Sequence, residues 1–539
     1  MESTTLPRLV PPGPPPTFGS LVYTYVKYGN RKYLERLLQI WSPAIDDDHT
    51  LMGSALHRAI LKGDETAVRM VLDAGVSPRV VVSHEPPNYT PLLIAAEADQ
   101  REIARLLWQL VGPDGRSQPR SSNCLSVAAG KGHADLVADF LEMWDGWPMD
   151  EKRQALNTAA GEWHDMVVGV LLAKVPYEAD AIQHALEVGA TDSPILPVAR
   201  IPSRVPITTA EDNLRQQRVV CQLIEAGANP DILLFNRTTP ILHIAANSRH
   251  LIGALRGLLE KGANATIQDQ TGKTALHRLF ERSHSSMDAL RLLLQHGASP
   301  EVADKAGETG LHAAAHMGTL EQLQLCLASC RDAEDALRLR TSHDESLLHY
   351  AAAGGREDNV EFLLSHGLDV NAANANGWTP LICALTRTNV KPSYPHCSIA
   401  SLLLQHGASA QAVTHEGWTA LHGLASYPSG NRRPPLENWD GVAPLARELI
   451  ARGAPLDTGP RLLRGRAGEL AATPAALASK SAWGIRIRRF LQRRLPVGTP
   501  DIADDPDTMP QMWAHRNGAV EVFNAILEHS IEAAREAES

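Results

Sequence analysis

Histidine and cysteine are the side chains most readily turned to metal ligation or proton transfer near neutral pH, and this 539-residue chain carries 22 histidines and six cysteines. Cys326 and Cys330 stand four apart, with His316 upstream. A zinc site needs four converging ligands, and no second cysteine pair accompanies this one. His415-Glu416 starts like a zinc-peptidase helix, but Gly417-Trp418-Thr419 follows where a second histidine is required. The phosphate-cradling Gly-x-x-x-x-Gly-Lys-Ser/Thr loop, the Gly-x-Gly-x-x-Gly turn and the Gly-x-Ser-x-Gly elbow are all missing from the sequence. No metal, no cofactor and no catalytic constellation is therefore expected. Asp504-Asp505 reads as solvated charge in a Pro-flanked loop. The basic run Arg486, Arg488, Arg489, Arg493 and Arg494 reads either as an import or anion-binding patch or as an exposed helical face.

The histidines are better explained by their spacing. His57, His243, His277, His312, His349 and His422 each close a short phrase, as in Thr274-Ala275-Leu276-His277. Related phrases start at Thr239, Thr309, Ser346, Thr379 and Thr419, thirty-three to forty residues apart. The Thr274 phrase is followed about twenty residues later by Leu-Leu-Leu-Gln-His-Gly-Ala (292–298), and the closing Gly-Ala recurs at Gly227, Gly262, Gly297, Gly407 and Gly453, with Gly-Leu at Gly367. A period in the thirties marks a stacked array rather than a closed globule.

One unit, residues 269–302, shows the elements that position these side chains. Asp269-Gln270-Thr271-Gly272 is a turn signal. Thr274 can cap a helix through its hydroxyl, and Ala275, Leu276, Leu279 and Phe280 follow at helical spacing. The polar stretch 281–286 breaks the run. A second helix from Met287 to His296 carries Leu290, Leu292, Leu293 and Leu294, and Gly297 stops it in the left-handed cap. Neither helix can bury its apolar face alone, so units must stack.

The pattern Gly-x-Thr-Ala/Pro-Leu-His, then Ala-Ala, then Leu-Leu-Leu-x-x-Gly-Ala resembles the ankyrin repeat. The best copies are 271–303, 306–328, 342–374 and 376–413, and Ile241-Leu242-His243-Ile244-Ala245-Ala246 fits as well. Weaker copies begin at Ser54, Thr90 and Ser126; 151–175 and 179–228 are more degenerate. The resemblance covers about 20–530 in thirteen to fourteen units. It implies an all-α solenoid of stacked helix-turn-helix repeats with short β-turn or hairpin tips. It also implies that the repeated imidazole ties a helix start to neighbouring backbone.

The expected organisation is a Pro-rich disordered tail (1–19), with an SH3-type polyproline ligand as the alternative, then a degenerate helical cap (20–50) built on a helix from Tyr25 to Ile40. Degenerate repeats (51–235) with a Pro-rich insertion at 190–212 come next. Well-matched repeats (236–460) follow, with long loops at 386–397 and 427–443, then degenerate C-terminal repeats (461–530) and a tail (531–539). Loops beyond ~12–15 residues are uncommon in compact folds and are often functional or disordered. The net charge of −10 disfavours general nucleic-acid binding. No stretch approaches the ~18 consecutive apolar residues of a membrane span, and the start lacks a secretory pattern. A monomeric chain of the cytoplasm or nucleus is expected.

The resemblance implies a non-catalytic scaffold or adaptor that binds a protein partner through turn tips and the outer positions of first helices. The candidate contacts are Lys273, Arg282, Glu308, Met317, Tyr350, Trp378, Arg387, Trp418 and Tyr427. Trp378 and Trp418 follow the turn glycine in consecutive repeats and belong to a residue type enriched at binding hot spots; the alternative is that they shield the turn and pack on a neighbour. A regulatory or accessory subunit of an enzyme complex, including a ubiquitin-ligase adaptor docked through 20–45, is a second reading. A cryptic catalytic module in 140–230 is a third.

Overall fold

The computed structural model describes residues 18–40, 49–81, 90–111, 123–191, 209–234, 238–281, 285–386, 396–425 and 442–456, with 525 and 529 as isolated positions. Most of the Pro-rich start, of the 190–212 insertion and of the long loops at 386–397 and 427–443, together with the Arg486–Arg494 run and nearly all of 461–539, lie outside the described residues. The chain divides into two units, Met1–Asn229 and Pro230–Ser539.

The first unit contains α1 (Phe18–Tyr28), α2 (Arg31–Ile40), α3 (His49–Leu61), α4 (Glu65–Asp73), α5 (Pro91–Glu97), α6 (Arg101–Val111), α7 (Cys124–Gly130), α8 (Ala134–Met143), α9 (Met149–Gly161), α10 (Asp165–Lys174), α11 (Ala179–Gly189) and α12 (Ala210–Glu225). The second opens on a hairpin of β1 (Leu233–Leu234) and β2 (Thr239–Pro240), paired antiparallel with Leu233 opposite Pro240. It continues with α13 (Ile241–Asn247), α14 (Ile252–Glu260), α15 (Ala275–Leu279), α16 (Met287–Gln295), α17 (Gly310–Met317), α18 (Leu320–Ala328), α19 (Ala333–Leu337), α20 (Leu347–Gly354), α21 (Glu357–Ser365), α22 (Pro380–Leu385), α23 (Cys397–Gln405), α24 (Ala420–Ala425) and α25 (Val442–Ala451). Apart from α19, the described helices form twelve pairs. Within the second unit first helices stack on first helices, α13 on α15, α17, α20, α22 and α24 in turn. Second helices do the same, α14 on α16, α18, α21, α23 and α25. This is an all-α solenoid with minimal strand content at its turns.

The repeated leucine forms the core of each layer. Leu242, Leu276, Leu311, Leu348, Leu381 and Leu421 occupy one position of the phrase, and each is at most 1% exposed. Leu258, Leu293, Leu323, Leu363, Leu403 and Leu449 answer them from the second helices and are fully buried. Each such side chain contributes about 1.5–3 kcal/mol on leaving water.

Short helices leave a large share of their carbonyls without intrahelical partners, and the following repeat supplies donors. His133 Nε2 lies 2.9 Å from Glu97 O and His164 Nε2 3.0 Å from Gly130 O. Arg356 donates to Met317 O at 2.5 Å, and Asn359 Nδ2 to Ala315 O at 3.1 Å. The layers must approach closely for this. A β-carbon on Gly354 would stand 2.0 Å from His316 O, a backbone atom that cannot swing aside. Gly354→Ala should therefore cost about 3 kcal/mol, at the upper end of overpacking effects. Urea unfolding of the variant beside wild type checks this, and an unchanged midpoint would show that the α17–α20 spacing is set elsewhere.

One difference from the sequence reading has a local cause. The N-terminal helix expected over Tyr25–Ile40 is two helices: Gly29 (φ 72°) takes the left-handed conformation and turns the chain between α1 and α2. α1 packs on α3, and Lys62 Nζ donates to Val26 O at 3.2 Å, so α1 and α2 cap the stack. In 140–230, where a separate module was considered, the described residues continue the pairing: α7, α9 and α11 stack in order, as do α8, α10 and α12.

Candidate interaction surface

The turns of the second unit share one construction. Asp269, Asp304, Thr341, Asn374 and Thr414 each open a turn, and Lys273, Glu308, Glu345, Trp378 and Trp418 close it four residues later. The opener's N–H donates to the closer's carbonyl in every case, at 2.7–3.0 Å. The opener's side chain accepts the closer's N–H, from Lys273 at 3.0 Å, Glu308 at 2.9 Å, Glu345 at 3.2 Å, and Trp378 and Trp418 both at 2.9 Å. Asp, Asn and Thr serve alike because each offers one oxygen at the right reach. Consecutive turns are then tied in rank: Lys305 N to Thr271 O (3.0 Å), Ser342 N to Ala306 O (2.9 Å), Ala375 N to His343 O (2.8 Å) and His415 N to Asn376 O (3.0 Å). Four of the turns carry glycine at the third step, and Gly307 shows why: a β-carbon there would lie 2.5 Å from Ser342 N. Asp344 holds the same position at φ 61°.

The histidine of each phrase stands beneath the turn. His277 Nδ1 accepts from the backbone N–H of Thr274 (3.1 Å) and from its hydroxyl (2.9 Å). Since Nδ1 accepts, the ring proton is on Nε2, which donates to Glu308 O of the next turn at 2.9 Å. Ser346, His349 and Trp378 repeat this at 3.1, 2.8 and 3.0 Å. Thr309 with His312, and Thr419 with His422, repeat the Nδ1 half. The capping carboxamide or carboxylate of an ordinary capping box is here an imidazole that also reaches the neighbouring repeat. This arrangement needs the neutral ring. Burial holds His349 and His243 down to about 4 and His312 to about 3, and lowers His277 as well. Two phrases depart from the pattern. Pro240 replaces the hydroxyl residue above His243, so only the Nε2 bond, to Ile267 O at 3.0 Å, is made. Ile382 replaces the histidine altogether and joins an apolar cluster with Ala353, Trp378, Cys383 and Trp418.

The candidate contact residues fall into three groups. Lys273 is half-buried and paired to Glu281 at 3.1 Å, beside the Arg278–Glu281 pair at 2.8 Å. Met317 is also half-buried. Glu308, Tyr350, Trp378 and Trp418 are buried, with exposures of 4, 1, 6 and 5%. The expectation that these four present themselves to a partner is corrected: their closer positions and Tyr350 turn inward, under the tied turns. Trp378 and Trp418 stack at 6.4 Å and 29°, and Tyr350 meets His312 edge-on at 5.0 Å. Arg282, Arg387 and Tyr427 lie outside the described residues. What the tips do expose is the second residue of each turn, Gln270, Lys305, Ser342, Ala375 and His415, with Thr271 beside the first. The sequence reading missed an aromatic cluster in the first unit, where Trp108, Phe140, Trp144 and Trp147 pack with centroids 5.0–6.3 Å apart. Its signal was the grouping of three of the ten tryptophans between 108 and 147.

Comparison with known families assigns the repeats. The models for "Ankyrin repeats (3 copies)" match 210–304 and 242–333, and "Ankyrin repeats (many copies)" matches 348–391. These stretches of the chain are ankyrin repeats. Among solved structures it is similar to the ankyrin repeat domain of Bcl-3, described as a unique member of the IkappaB protein family, with 28% identity over 41% of this chain and 88% of that one, and a TM-score of 0.30. Ankyrin repeats are in general protein–protein interaction modules. Among the described residues no helix is long and apolar enough to cross a membrane, and no group of three or more His, Cys, Asp or Glu converges as a metal site.

Proposed function

We propose that the second unit is a protein-binding scaffold whose contact surface is the rank of exposed turn tips from 270 to 415, with Lys273 and Met317 at its edge. One observation supports this above others: successive turns are hydrogen-bonded to each other, so their exposed second residues are held at fixed spacing. A preorganised row of side chains binds without the entropy loss of ordering loops first. The tips also differ from repeat to repeat (Gln270, Lys305, Ser342, Ala375, His415) while the capping residues beneath them recur. Specificity therefore resides in side chains that vary on a backbone the inter-turn bonds hold fixed.

The test is to place negative charge at the tips, with Gln270→Glu, Lys305→Glu and His415→Glu combined. Exposed substitutions of this kind change stability by about 0.5 kcal/mol or less each, so the fold persists. Proximity labelling with wild type and the triple variant should show depletion of the specific partners. Recovery of every partner at wild-type level would refute a tip-based surface.

A further inference from the structure

The closer column reads Lys273, Glu308, Glu345, Trp378, Trp418, which sets two buried glutamates in consecutive layers. Glu345 is 6% exposed and Glu308 4%. The surroundings of Glu345 can be assigned atom by atom. Thr341 Oγ1 already accepts from His343 N (3.3 Å) and Glu345 N (3.2 Å), so its hydrogen is directed to Glu345 Oε2 at 3.2 Å. Asn374 Oδ1 accepts from Asn376 N and Trp378 N, both at 2.9 Å, which leaves its amide hydrogens for Glu345. The Tyr350 hydroxyl completes the set at 3.5 Å. The carboxyl thus joins its own turn, its own first helix and the next repeat's turn.

The groups around this carboxyl are neutral or acidic. From the preceding turn Glu308 and Asp304 act on the same Tyr350 hydroxyl. From α22 the Cys383 thiol faces Glu345, and from α17 His312, held neutral by burial, faces its backbone. The charged pair on its own turn, Arg340 with Asp344 at 3.4 Å, is on the half-exposed side. A carboxylate buried without a cation is costly.

We propose that Glu345 is a proton-sensitive tie between the turns at 341–346 and 374–379, the junction being more stable when this buried carboxyl is neutral than when it must be held there ionised without a cation. The inference concerns the junction itself and holds whether or not the turn tips bind a protein.

Burial outweighs the three donors and pushes the Glu345 carboxyl up to about 7. A carboxyl raised in the folded state binds its proton more tightly there than in the unfolded chain, so its stabilising effect is lost as pH rises through 7. From pH 6 to pH 8 this one group should raise the unfolding constant about tenfold. The histidines pull the other way over the same range, so the readout is a comparison of wild type with Glu345→Gln, in which their contributions cancel. Chemical unfolding of both at pH 6 and pH 8 should show wild type losing about tenfold relative to the variant. Parallel behaviour of the two proteins would overturn the proposal. Should Glu345→Gln fail to fold, carboxyl-carbon shifts of glutamate-labelled wild type decide instead. One glutamate titrating near neutrality and displaced in Tyr350→Phe is expected; glutamates that all titrate in the ordinary acidic range would overturn the assignment.

Discussion

Acidification from pH 7 to pH 5 should destabilise the second unit by about 4 kcal/mol. His243, His312 and His349 are at most 2% exposed and are held down to about 4, 3 and 4. An imidazole lowered in the folded state takes up its proton in the unfolded chain first, so the stability it contributes is complete above about 6.5 and is lost as pH falls toward 4. At pH 5 each of the three represents about 2 kcal/mol, and the raised carboxyl of Glu345 returns about 2 kcal/mol of the total. The structural reason is that the rings are buried and tied in the neutral form. At His349 Nδ1 accepts from Ser346 while Nε2 donates to the next turn, and a doubly protonated imidazolium can do only the second; His312 makes the Nδ1 half and His243 the Nε2 half. The measurement is the urea midpoint of the second unit as a function of pH. A midpoint that stays level between pH 7 and pH 5 would show that these rings are not neutral ties. His312→Gln should remove about one proton from the pH slope.

Trp378→Ala and Trp418→Ala should each destabilise the second unit by about 3–5 kcal/mol, the range for truncating a buried large aromatic. Both rings lie in the apolar cluster with Ala353, Ile382 and Cys383, and the backbone carbonyl of Trp378 accepts from His349 at 3.0 Å. This alters how a binding experiment is read. Partner loss in a tryptophan double variant would report unfolding as readily as a lost contact, whereas the acidic substitutions at the tips leave the layers intact. Urea unfolding of each single variant checks the packing account. A variant within about 0.5 kcal/mol of wild type, the range typical of surface positions, would place the ring on the surface after all.

The fold was legible in the sequence because each layer must solve the same three problems. It must start a helix, bury a leucine and stop at a left-handed residue, and Thr274, Leu276 and Gly297 do this in one repeat as Thr309 and Leu311 begin it in the next. Hydroxyl caps, helical spacing and a left-handed glycine are local properties, so they survive in a one-dimensional string. The break at Gly29 was less legible because a glycine between two apolar stretches is compatible with either one helix or two until α1 finds α3.

The sequence by itself therefore determined the architecture, the repeat length and the capping role of the recurring phrase. Tertiary structure alone decided which side of each turn faces water. Residue type pointed Trp378, Trp418, Tyr350 and Glu308 outward, as hot-spot and charged residues. The stacking of turns 341–346, 374–379 and 414–419 closes over them instead, because inter-turn hydrogen bonds such as Ala375 N to His343 O bring successive layers too close for water to enter. Burial is a property of the neighbouring repeat as much as of the residue. That is why the string could show that Glu345 follows a turn, and only the packed layers could show that its charge has nowhere to go.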